Sequence, residues 1–62
     1  MLVAISISKS ALDQHPNVGR ELTRLSTRVV EHESYCEYFV KEWKTVFEML
    51  NQHEVNFVFQ PL

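Results

Sequence analysis

Between Val18 and His53 a series that is apolar except for His32, Cys36 and His53 recurs at alternating steps of four and three: Val18, Leu22, Leu25, Val29, His32, Cys36, Phe39, Trp43, Val46, Leu50, His53. That repeat keeps one seam of an α-helix facing a partner. Arg20, Thr27, Ser34, Lys41 and Glu48 fall opposite the seam and all are polar, as the outer face of such a helix requires. No proline interrupts the run, so the pattern predicts one long amphipathic helix of roughly 36 residues, about 54 Å at the standard rise. From Tyr35 onward Tyr35, Tyr38, Val40, Phe47 and Met49 widen the apolar stripe, and a wide stripe needs more than one neighbour to cover it.

On either side of that run the period changes to two. Val3, Ile5 and Ile7 alternate with Ala4, Ser6 and Ser8, which predicts a half-buried strand over Leu2 to Ser8. Val55, Phe57 and Phe59 alternate with Asn56, Val58 and Gln60 in a second strand closed by Pro61. Lys9 to Asn17 reads as a connector with room for one helical turn. Pro16 favours a helix start between Asp13 and Val18, with Asp13, His15 or Asn17 as its cap. The expected fold is α+β, one domain over residues 1–62 with a short N-terminal strand, one long helix and a short C-terminal strand.

Those lengths create a conflict. A strand of about seven residues spans only ~23 Å, so the two strands of one chain would sit at opposite ends of the rod. An antiparallel homodimer resolves it by bringing the first strand of one chain beside the last strand of the other. Charge agrees with that arrangement. Residues 1–30 carry Lys9, Arg20, Arg24 and Arg28 against Asp13 and Glu21, a net of +2; residues 31–62 carry Lys41 and Lys44 against six glutamates, a net of −4. Head-to-tail helices would set the basic half against the acidic half and offset an unfavourable macrodipole. A helical hairpin broken near His32 to Tyr35 is the alternative within a single chain.

Size strengthens the expectation of a partner. A chain of 62 residues buries only about 60% of its unfolded surface, and its single cysteine, Cys36, excludes an internal disulfide framework. No apolar run approaches the ~20 residues of a membrane span, and no basic, apolar leader of the secretory kind opens the chain. With a free thiol, these features lead to the expectation of a reducing cytoplasm.

Little chemistry is legible. His32-Glu33-Ser34-Tyr35-Cys36 resembles the zinc helix of metalloproteases, but Cys36 stands where that helix has its second histidine and no third ligand follows. There is no nucleophile triad and no phosphate-binding glycine loop, so no catalytic residue, cofactor or metal is expected. Asn17-Val18-Gly19-Arg20-Glu21-Leu22 after a short strand is similar to the start of the second helix in ribbon–helix–helix repressors, and the resemblance implies a dimeric DNA-binding regulator. The outward strand residues Ala4, Ser6 and Ser8 lack the side chains that read base edges. The favoured expectation is therefore a non-catalytic regulator, adaptor or inhibitor, acting as a homodimer through protein contacts. Tyr38, Trp43 and Phe47 are its expected anchors, and Arg20, Arg24 and Arg28 its expected contact with an anionic partner.

Overall fold

A computed structural model describes residues 1–62. The chain runs β1 (Val3–Ser8), α1 (Lys9–Gln14), α2 (Pro16–Leu25), β2 (Ser26–Glu31), β3 (Tyr35–Val40), α3 (Trp43–Gln52) and β4 (Val58–Pro61). The strands form one antiparallel sheet in the order β2-β3-β1-β4. This is a split β-α-β arrangement, with its first helix in two pieces.

β1 occupies the interior of the sheet. Its alternation is the cause: Val3, Ile5 and Ile7 are all fully buried, and they pair with Val40, Tyr38 and Cys36 of β3 on the face that the helices cover. Val18 and Leu22 of α2, Val46 and Leu50 of α3, and Val55 complete the core. On the other face Ala4, Ser6 and Ser8 stand opposite Phe39, Glu37 and Tyr35, and no helix covers them.

The break between α1 and α2 is local. Ser8 caps α1, its Oγ accepting the Ala11 N–H at 3.1 Å. The His15 N–H closes α1 on the carbonyls of Ala11 and Leu12, while the His15 carbonyl opens α2 by accepting from Val18 and Gly19. Pro16, which has no N–H to lose, takes the first position of α2. The expected start of the main helix is therefore observed, although His15 caps it without a side-chain hydrogen bond.

The long helix from Val18 to His53 does not form, and there is no coiled coil. α2 ends at Leu25, and the residues that continued the seam lie in a β-hairpin. Ser26–Glu31 contains Thr27, Val29 and Val30, and Tyr35–Val40 contains two tyrosines, a phenylalanine and a valine; both sets favour a pleated, half-buried surface. The 3-4 spacing there is coincidental, because β1 needs a neighbour on each edge and β3 supplies one. The turn at His32–Ser34 lies where the helical-hairpin alternative placed a break, but strands flank it rather than helices. Only from Trp43 does the helical seam resume, with Val46 and Leu50 buried.

With the rod goes the reason for two chains to complete one another. The longest dimension of the protein is 28 Å, about half the expected rod. β1 and β4 of the same chain are adjacent, with Val3 opposite Pro61 and Ser6 opposite Val58. The macrodipole conflict also disappears, since Arg24 now lies in the last turn of α2, where a cation is favourable.

The end of α3 sends the chain back to the sheet. Glu54 has φ 56°, its N–H donates to the Asn51 carbonyl at 3.1 Å, and the Val55 N–H reaches the Leu50 carbonyl at 2.9 Å. These two bonds and the buried Leu50 and Val55 pair make a Schellman motif with glutamate in the left-handed position usually held by glycine. Three residues later β4 begins.

Candidate protein-contact site at the β4 edge

The sheet has two edges, and their construction differs. Leu62 donates its N–H to the Leu2 carbonyl at 2.9 Å, and alternate residues of a strand turn their backbone groups to the same side. Val58, Gln60 and Leu62 thus face β1, whereas Phe57, Phe59 and Pro61 face outward. Pro61 sits where a strand proline is tolerated, its missing N–H on the solvent side. Phe59 presents an unpaired N–H and C=O to solvent.

Apart from Gln60, the side chains at this edge are apolar. Val58 is 73% exposed, Phe59 51% and Leu62 63%, and no charged side chain occurs from Val55 to Leu62. Below them an aromatic cluster holds the edge in place. The Phe47 ring centroid lies 5.0 Å from that of Phe57, 4.9 Å from Phe59 and 5.5 Å from Trp43, all within the range of favourable ring pairs. The Trp43 ring in turn carries Lys44 Nζ at 5.5 Å.

At the other edge, the His32 N–H donates to the Tyr35 carbonyl at 2.9 Å, so the N–H groups of Val29 and Glu31 face outward by the same alternation. There the strand is irregular and charged. A bulge falls between Ser26 and Arg28, Thr27 Oγ1 donates to the Phe39 carbonyl, and Glu31 pairs with Lys9 at 2.6 Å. Arg28 lies over the Phe39 ring at 5.7 Å. Bulges and charges are two of the means, alongside short strands and edge prolines, of keeping an edge from pairing with another chain.

The residues expected to carry the site are scattered. Trp43 and Phe47 lie beside β4. Tyr38 is in the core, 4% exposed, and burial, with Cys36 nearby, raises its phenol above the ordinary range. Arg20 and Arg24 are on α2, the first hydrogen-bonded to Asn17 Oδ1 at 2.6 Å, the second paired with Glu21. That pairing lowers the Glu21 carboxyl and raises Arg24. Arg28 is on β2 over the uncovered face, so the three arginines do not form one stripe. Phe57, Val58 and Phe59 were not singled out by sequence reasoning. Their signal was the uncharged alternation after Val55.

His32 and Cys36 do not converge either. Cys36 pairs with Ile7 on the helix side, while the His32 ring stacks on Tyr35 at 4.3 Å and its Nε2 meets Glu37 Oε1 at 3.1 Å. No three metal-ligating side chains come together. Two concavities remain. A cleft of about 160 Å³ lies at the α1–α2 break between His15 and His53, whose rings are 6.3 Å apart. A shallow dish of about 480 Å³ lies on the uncovered face between Ser6, Ser8, Tyr35 and Val58. No helix is long and apolar enough to cross a membrane. β1 is paired on both sides, so it cannot serve as the free ribbon strand of a ribbon–helix–helix dimer. Comparison with protein-family models, curated proteins and solved structures finds no match.

Proposed function

We propose that this chain is a non-catalytic interaction protein, a small regulator, adaptor or inhibitor, that works by protein–protein contact at the β4 edge. The observation that carries the reading is the free backbone of Phe59 between exposed, uncharged Val58, Phe59 and Leu62. Main-chain groups at an open edge give affinity to an added strand, and the alternate side chains give it selectivity. The reading assigns the protein no reaction and no cofactor.

Photo-crosslinking in cells tests it. Benzoylphenylalanine in place of Phe59 should capture protein adducts, whereas the same residue in place of Val29, on the β2 edge, should capture few. Equal yields from both positions, or none from position 59, would contradict the proposal.

Nucleic-acid binding is supported by a different observation. Tyr35 stacked on His32, and Phe39 beneath Arg28, put aromatic rings on an uncovered sheet face, where bases stack in some RNA-binding sheets. Against this, the same face carries Glu37, and Arg28 is its one strong cation among β1, β3 and β2. A gel shift on single-stranded and duplex probes separates the readings: phosphate-driven binding falls steeply with salt, and the protein-contact reading expects no shift.

A further inference from the structure

We infer that β4 pairs with β4 of a second copy of this chain, antiparallel, with Phe59 on the two-fold axis. The inference rests on the reading of the β4 edge as the contact surface, and names its occupant and register.

Backbone geometry supplies the first reason. Phe59 is the outward-facing residue with both groups free, and a two-fold axis through it lets each copy donate its N–H to the other's carbonyl. Two residues away, Phe57 of one copy stands opposite Pro61 of the other. Phe57 donates to the Pro61 carbonyl, and Pro61 has no N–H whose partner could be missing. The symmetric ladder therefore closes four hydrogen bonds and leaves the Phe57 carbonyl as its one idle group in each copy. Centring on Phe59 also keeps Val58, Phe59 and Gln60 inside the ladder, with Val58 opposite Gln60 of the partner on the uncovered face.

Charge supplies the second reason. An isologous interface sets each patch against its own duplicate, so like charges placed opposite one another along the edge would repel. From Val55 to Leu62 there is no charged side chain in a protein of net charge −2. A foreign strand selected by charge would find nothing to read here, whereas a duplicate meets this edge without like-charge repulsion. The β2 edge is instead interrupted by a bulge and carries the charged Arg28 and Glu31. Association then closes at two copies and one continuous sheet instead of extending into a filament.

Sedimentation equilibrium of three proteins tests both the partner and the register. The unmodified chain should sediment at twice 7.3 kDa at high micromolar concentration. The double variant Val58→Lys/Gln60→Lys sets lysine against lysine at both crossings and should bind roughly tenfold or more weakly, since directly opposed like charges destabilise a strand pair. Val58→Lys/Gln60→Glu sets lysine against glutamate at both crossings and should remain dimeric. Positions 58 and 60 are exposed, and matching far-ultraviolet circular dichroism will confirm that the variants fold.

A monomeric unmodified chain overturns the inference. So does a dimer indifferent to the lysine pair, which would use another surface, or one that both variants dissociate, which would have a different register. These failures are distinguishable from failure of the broader reading. Crosslinks from position 59 to foreign proteins alone would retain protein contact and exclude the duplicate, while adducts of twice the chain mass identify it.

Discussion

The two edges of this sheet are built from opposite materials. β2 is six residues long, bulged at Thr27, and carries Arg28 and Glu31; β4 is four residues long, regular and uncharged, with every residue exposed. Their anchoring also differs. β2 is joined to β3 by the short His32–Ser34 turn, so its pairing is largely local. β4 arrives after a helix, is steered by the Schellman turn at Glu54, and is held by rings from α3. A strand held by an aromatic cluster that still leaves its own apolar side chains in solvent has the build that the proposed contact requires. A strand that is bulged and charged is placed to refuse it.

Removing the anchor of one edge should break that contrast most strongly. Phe47→Ala takes away the ring shared by Trp43, Phe57 and Phe59 and should cost about 3 kcal/mol in urea unfolding, the lower end for phenylalanine truncation. Amide exchange should accelerate in β4 before it does in β2. Uniform acceleration across the sheet would mean that β4 is not separately anchored.

A smaller effect of opposite sign is expected at the turn that aims β4. Glu54 holds φ 56°, a region in which a side chain is strained and glycine is not. Glu54→Gly should raise stability by about 1 kcal/mol without altering β2. Thermal unfolding monitored by circular dichroism measures it, and a fall in midpoint would contradict the turn assignment.

The smallest effect belongs to β2 and depends on pH. A hydrogen bond from Lys9, then its charge, lowers the Glu31 carboxyl below its ordinary 4.5. Because the folded value is the lower one, the pair contributes stability above about pH 4.5 and loses it as pH falls through the folded value. Glu31→Gln should flatten that part of the acid unfolding curve slightly, since both side chains are solvated. β4 has no titratable side chain and should show no counterpart.

Part of the fold was legible in the sequence but the contrast between its edges was not, and the reasons are specific. Period-two alternation identified β1 and, of the strand expected from Val55, the part from Val58 onward, whereas Val55 to Phe57 form no strand; Pro16 located the start of α2. Ser26 to Val40 was misread because Val29, His32, Cys36 and Phe39 fall on a helical seam by spacing alone. Their β-branched and aromatic content was the competing signal, and it prevailed because pairing with β1 buries Tyr38 and Val40. Which strand would form an edge was not legible, because strand order depends on contacts distant in sequence. Phe59 looked like half of a buried alternation until β4 proved to have a neighbour on one side only.

Hydrogen exchange at two amides, followed by NMR as the protein is concentrated, tests the central claim most directly. The outward N–H groups of Phe59 and Val29 are equivalent in kind and lie on opposite edges. Exchange at Phe59 should slow with concentration while exchange at Val29 does not change. Slowing at Val29 with Phe59 unchanged, or no dependence at either, would contradict it.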